Sequence, residues 1–183
     1  RFLVKNGFDT PITVSIRSAL LRGSSPVSRH SKRGSRVTSP GFPCFLKPWD
    51  GYASRGNAIV KNREELLFFA KRIPNAICQE FIQGTEHTCD VYVDFDMKVR
   101  CVVPRKRIEM RAGEVSKAQI DKQPGIMSES ARLVEVLAAG PGVITLQLFL
   151  TSDNKVKFIE INPRFGGGVP LSIKAGANFP KWI

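Results

Sequence analysis

Two apolar runs joined by a polar turn constrain this chain more than any other feature. Val143 to Leu150 and Val156 to Ile161 flank Ser152-Asp153-Asn154, a cluster of turn formers, and the pattern predicts an antiparallel hairpin. One polar residue interrupts each arm, Gln147 in the first and Glu160 in the second. A polar side chain inside an apolar run needs a partner, and cross-strand pairing would set the Gln147 amide beside Glu160. Strand alternation puts Glu160 and Asn162 on one face. A carboxylate beside amide oxygens makes a set of hard ligands suited to magnesium. Arg164, just past the strand, could reach a phosphate oxygen. The alternative is a surface hairpin with an exposed glutamate.

The preceding text alternates between strands, loops and helices. Arg1 to Asn6 reads as the tail of an amphipathic helix. Phe42 to Lys47 predicts a strand closed by Pro48, and Asp50 to Asn57 a glycine-bearing loop. Ala58 to Val60 predicts a short strand. Asn62 predicts a helix cap, with Glu65 spaced for a capping box. Leu66, Phe69, Ala70 and Ile73 give that helix an apolar stripe, and Pro74-Asn75 stops it. Strands are expected over 76–82, 88–93 and 99–103, with Asp94 to Lys98 as a hairpin turn. Residues 104–127 read as a long polar loop, Ser128 as the start of a helix over 129–139, and Gly140-Pro141-Gly142 as its end. This is an α+β pattern of antiparallel sheets in two lobes, 1–80 and 81–183.

Charge is unevenly placed. The chain of 183 residues carries 28 Lys and Arg against 16 Asp and Glu, a net charge of +12. Residues 1–40 hold eight of the basic residues and one acid, and 15–40 hold eight Ser and five Arg. That composition predicts an atypical basic loop without regular structure or catalytic role. A basic module that binds nucleic acid would interleave aromatic side chains with its cations. None occurs between Phe95 and Phe149, so nucleic acid is disfavoured as a partner. No G-x-x-x-x-G-K-[ST] string is present, which argues against a P-loop hydrolase. Cys44, Cys78, Cys89 and Cys101 lack metal-ligand spacing and read as buried free thiols of a cytoplasmic protein. No apolar run reaches membrane-spanning length, so no membrane association is expected.

Taken in order, Gln147…Glu160-Ile161-Asn162-Pro163-Arg164 resembles the metal-binding end of ATP-grasp enzymes, most closely the branch related to the carbamoyl-phosphate synthase large subunit. The resemblance extends over 42–180. Phe42 to Pro48 resembles the strand ending in a phosphate-contacting Lys, here Lys47. Asp50 to Gly56 resembles the glycine-rich lid, with Gly51, Ser54 and Gly56 toward the phosphates; Tyr52 and Ala53 stand where smaller residues are usual. Gln79 to Glu86 resembles the hinge: Glu80, Phe81 and Ile82 would line the adenine pocket and Glu86 would bond the ribose. Arg1 to Thr13 resembles the entry to the domain, whereas 15–40 do not match.

The resemblance implies an ATP-grasp fold whose two lobes enclose a nucleotide cleft. It implies ATP and Mg2+ as cofactors, with Mn2+ as an alternative, and a metal held by Gln147, Glu160 and Asn162. Arg164, Arg111 and Arg105 are the candidate catalytic residues, the last two on the basic stretch 104–114. The implied activity is ATP-dependent ligation of a small-molecule carboxylate to an amine through an acyl phosphate. The family's preceding α/β domain is expected to be missing from this chain, and a homodimer is allowed. The rival readings are an inactive ATP-grasp remnant and a basic nucleic-acid-binding module.

Overall fold

The computed structural model describes residues 2–21, 40–51, 56–111 and 114–183. These form two compact units, Pro11–Ile82 and Arg1–Thr10 with Gln83–Ile183. The first ten residues thus pack with the larger unit, not with the lobe expected over 1–80. They begin with α1 (Phe2–Lys5). Phe8 is buried there, edge-on to Phe158 at 5.9 Å.

The unit Pro11–Ile82 contains β1 (Thr13–Ser15), α2 (Ile16–Leu21), β2 (Cys44–Pro48), β3 (Ala58–Val60), α3 (Arg63–Ala70) and β4 (Ala76–Glu80). Its sheet is antiparallel in the order β1-β4-β2-β3. Alternation puts Cys44 and Leu46 of β2, Val60 of β3 and Ala76 and Cys78 of β4 into one core, with Ala19 of α2, Leu66 of α3 and Ile73. Phe45 and Lys47 take the other face of β2.

The expectation of an unstructured 15–40 is corrected at its start. Ser15 ends a strand and residues 16–21 are helical. Ala19 is buried, and Ile16 and Leu20 pack against the same core, so apolar burial outweighs the polar composition of the segment. Residues 22–39 lie outside the described residues.

The Asn62 side chain accepts from the Glu65 N–H at 2.9 Å, a cap that contributes about 1 kcal/mol. The Glu65 carboxylate accepts from the Lys61 N–H at 2.8 Å, one residue before the position a capping box uses. Asn75, at φ +52, turns the chain into β4.

The larger unit holds β5 (Gly84–Val93), β6 (Val99–Arg111), β7 (Glu114–Ile120), α4 (Pro124–Leu137), β8 (Gly142–Thr151), β9 (Val156–Asn162), α5 (Val169–Lys174) and α6 (Phe179–Trp182). Its antiparallel sheet runs β7-β6-β5-β8-β9. One face buries Cys89, Val91 and Val93 of β5, Ile144, Leu146 and Leu148 of β8 and Val156 and Phe158 of β9, with Ile126, Leu133 and Val134 of α4. On the other face Tyr92, Val103 and Val143 form a smaller apolar cluster with Ala177 and Phe179.

Two expectations in this unit are overturned. The stretch 104–127 is not a loop: β6 continues to Arg111 and turns back as β7. Its cations hide the strand signal because Arg105 and Arg107 are paired with carboxylates on neighbouring β5. The helix expected from Ser128 begins a turn earlier, at Pro124, with Ile126 fully buried. Proline suits a first helical position, where its missing N–H would have no partner.

The four cysteines are free, and Cys44, Cys78 and Cys89 are buried. Burial pushes the Cys89 thiol up to about 12. Among the described residues, no helix is long and apolar enough to cross a membrane.

Candidate functional site

The polar residues of the larger unit collect on one face of its sheet. Gln147 of β8 pairs directly with Glu160 of β9, and Thr145 with Asn162. In an antiparallel ladder, directly opposed residues project to the same side. Gln147, Glu160 and Asn162 therefore share that face, and the Asn162 Nδ2 donates to Glu160 Oε1 at 2.8 Å.

The register slips between Gln147 and Leu148, where Leu148 pairs with Phe158 and Ile159 is the extra residue. This bulge keeps Leu148 and Phe158 in the core while Gln147 and Glu160 project from the opposite face. Gln147 and Asn162 are half-buried and Glu160 is exposed. One carboxylate and two side-chain amide oxygens side by side fit magnesium, which binds few protein oxygens and takes its remaining ligands from water and phosphate.

Glu86 lies on the same face, one residue before the β5–β6 pair His87–Lys106. The guanidinium of Arg107 is ion-paired with the Glu86 carboxylate. The same Nη1 donates to Gln147 Oε1 at 3.3 Å. One nitrogen therefore joins the candidate ribose acid to a candidate metal ligand. The sequence reading missed Arg107. Its signal is parity with Arg105, which has meaning only when the stretch is a strand.

Further along this face, Arg105 forms a two-point pair with Asp90. Its Nε donates to Oδ2 at 2.9 Å and its Nη2 to Oδ1 at 3.0 Å. Arg105 is 1% exposed and Asp90 is fully buried. Arg105 cannot present itself to a phosphoryl or carboxylate oxygen while so enclosed, which corrects its assignment as a catalytic residue. Arg111, at the far end of β6, is exposed and donates to Glu109 Oε1 at 2.8 Å. Lys117 and then Arg111 hold the Glu109 carboxyl below its ordinary range. Arg164 is exposed in the turn after β9, with its Nη1 donating to the Phe165 carbonyl at 3.0 Å.

In the other unit, Lys47 stands half-buried on β2, paired with Ile77. Gly51 and Gly56 border residues 52–55, which lie outside the described residues. The φ of +73 at Gly56 is a backbone conformation that favours glycine. Ser54 lies outside the described residues. Glu80 Oε2 accepts from the Ile12 N–H at 3.1 Å, so this acid is engaged with backbone. Phe81 and Ile82, both half-buried, follow β4 without regular structure.

The larger unit thus carries a Gln–Glu–Asn face on an antiparallel sheet, and the smaller unit is a second antiparallel sheet, a two-sheet α+β type of fold. Residues 2–168 match the ATP-grasp domain family, and the chain belongs to it. A D-alanine–D-alanine ligase of Phocaeicola vulgatus is 27% identical over 69% of this chain and 44% of its own length. The chain therefore spans less than half of that relative.

In fold, the chain is similar to the biotin carboxylase domain of the Hydrogenobacter thermophilus 2-oxoglutarate carboxylase, solved with MgADP, ADP and bicarbonate. The TM-score is 0.73 at 17% identity, covering 99% of this chain and 42% of that one. It is also similar to an L-amino acid ligase from Bacillus licheniformis, with a TM-score of 0.64 at 19% identity, covering 92% and 40%.

Proposed function

We propose that this chain binds ATP with magnesium and serves an ATP-dependent ligase that joins a carboxylate to an amine through an acyl phosphate. One observation carries the reading: in a member of the ATP-grasp family, Gln147 opposes Glu160 across β8–β9 with Asn162 on the same face. The string Glu160 to Arg164 favours the branch related to the carbamoyl-phosphate synthase large subunit.

In this reading Gln147, Glu160 and Asn162 hold the metal. Bound magnesium supplies charge neutralisation to the phosphate oxygens. Lys47 and Arg164 take the charge that spreads over the transferring phosphoryl group, and Arg111 approaches its oxygens or those of the carboxylate. Glu86 accepts from the ribose hydroxyls, and the backbone at Phe81 and Ile82 meets the adenine. Glu80, with its carboxylate turned to Ile12, serves through its backbone. Such transfers rest on positioning and electrostatics, so no protein nucleophile is required.

Calorimetric titration of the 183-residue chain with ATP, with and without magnesium, tests the binding. Saturating Mg-ATP is expected to raise the melting temperature, because a ligand selective for the native state stabilises it. A folded chain that shows neither heat nor shift sinks the reading. Release of ADP over a panel of carboxylate and amine pairs, D-alanine included, then tests the ligase activity.

A second reading, nucleotide binding without transfer, has one observation in its favour: Arg107 already engages both Glu86 and Gln147. ADP release separates the two.

A further inference from the structure

Asn162 is the last residue of β9 and Arg164 lies two residues past the sheet, so the path of the chain after Asn162 decides where both side chains start. After β9 ends at Asn162, the chain has no regular structure until α5 begins at Val169. Three short backbone bonds tie that turn, from Arg164 N–H to the Asn162 carbonyl at 2.8 Å, from Val169 N–H to the Gly166 carbonyl at 3.0 Å and from Leu171 N–H to the Gly168 carbonyl at 3.1 Å.

The Asp90–Arg105 pair lies against the later part of this segment and is linked to its two flanks through Thr145 and Ser172. The Thr145 hydroxyl, on the strand residue directly opposite Asn162, lies 2.8 Å from the Arg164 carbonyl and 3.2 Å from Asp90 Oδ1. Its single proton is shared between them, with the shorter contact to Arg164. Ser172 of α5, just past the turn, donates to Asp90 Oδ2 at 2.7 Å.

Gly168 lies against Arg105, and Gly166 lies against Thr145 with Arg105 just beyond. A Cβ at Gly168 would fall 1.9 Å from Arg105 Nη1, whereas one at Gly166 would meet Thr145 Cγ2 at 2.9 Å, with Arg105 Nη2 at an ordinary contact distance of 3.5 Å. Gly168 has no positive φ, so glycine is required there for space and not for backbone conformation. Both charges are buried. A buried pair with its lone pairs filled resists rearrangement, because separating its members would leave a charge without compensation.

We propose that Asp90 and Arg105 are positioning residues for the metal and phosphoryl end of the site: their pair fixes the Asn162–Gly168 turn and thereby aims Asn162 and Arg164. This rests on the roles proposed above for those two side chains. The pair itself touches neither metal nor nucleotide.

The test is magnesium-dependent ATP binding by the 183-residue chain and by two variants. One replaces the pair by apolar side chains (Asp90→Leu with Arg105→Met), an exchange that buried ion pairs commonly tolerate in stability. The other is Gly168→Ala, which drives a methyl group into the guanidinium.

Both variants are expected to bind ATP without magnesium within about threefold of wild type. Both are expected to lose about tenfold or more of the affinity that magnesium adds, the usual cost of disturbing groups that orient metal ligands. Circular dichroism and melting temperature establish folding; where the double variant is unfolded, Gly168→Ala carries the test alone. Folded variants that keep the full magnesium gain overturn the inference while leaving the functional reading intact. A wild-type chain that binds no ATP overturns both.

Discussion

Gln147 and Glu160 stand directly opposite each other in the β8–β9 ladder, and the register slips by one residue immediately after them. The slip allows two polar residues to share an open face in strands whose next cross-strand pair, Leu148 and Phe158, belongs to the core. Glu160→Gln keeps shape and removes the only formal charge of the proposed metal set. Metal charge is worth several kcal/mol to such a transfer, so ADP release is expected to fall by about 100-fold or more. The melting temperature should stay within a few degrees, because Glu160 is exposed. Unchanged turnover in this variant would remove Glu160 from the mechanism.

Arg107 supports a prediction in which stability and binding move together. Its guanidinium, 7% exposed, meets Glu86, 26% exposed, and also reaches Gln147. Arg107→Met retains the apolar stem and removes the donors. Hydrogen bonds to charged groups contribute about 1.5–3 kcal/mol, and Glu86 is partly solvated, so the low end is expected in urea unfolding. ATP affinity should fall with or without magnesium, since Glu86 loses the group that orients it. A variant of wild-type stability and affinity would show that the contact has no consequence. Arg107→Lys should recover part of the loss, since an ammonium reaches as a point charge and cannot reproduce the fork.

The sequence disclosed the elements whose period is undisturbed. The β8–β9 hairpin, the Asn62 cap and the short strand Ala58–Val60 are all read from local pattern, and each depends on neighbours within a few residues or on a simple turn. The β6–β7 hairpin was hidden because its half-buried face carries Arg105 and Arg107. Charge on a buried face is tolerated only when carboxylates stand opposite, and Asp90 and Glu86 lie 15 and 21 positions away in the chain. A period in hydrophobicity cannot register a strand whose inward residues are ion-paired. The short helices α5 and α6 escaped for a related reason: Ser172 and Phe179 are anchored by contacts with Asp90 and Tyr92 on β5, not by a helical stripe of their own.

The hairpin turns predict a shallow acid limb to the stability profile. The Lys155 ammonium, with help from the Thr151 hydroxyl, lowers the Asp153 carboxyl from 3.8 to about 2. A depressed carboxyl contributes stability above its unfolded value, and the contribution is lost as pH falls toward the folded value. Between pH 4 and 2 the wild-type urea midpoint should therefore fall more steeply than that of Asp153→Asn. The difference should shrink in 1 M salt, where exposed pairs are screened. Parallel profiles at low salt would show that the pair does not persist in solution.

Arg111 separates a surface role from a functional one by magnitude. It is 77% exposed at the end of β6, with Glu109 as its partner and Lys117 as a second cation on the same carboxylate. Exposed pairs of this kind contribute little, and Lys117 remains to serve Glu109 when Arg111 is removed. Arg111→Ala should thus leave the unfolding free energy within about 0.5 kcal/mol of wild type. If Arg111 reaches phosphoryl or carboxylate oxygens during turnover, the same variant should lower ADP release by about 10-fold or more, because a charge-assisted bond made at the reacting group is worth more than one in solvent. Stability held with activity lost identifies a ligand contact. Stability and activity both held leave Arg111 as a solvated partner of Glu109 and remove it from the proposed site.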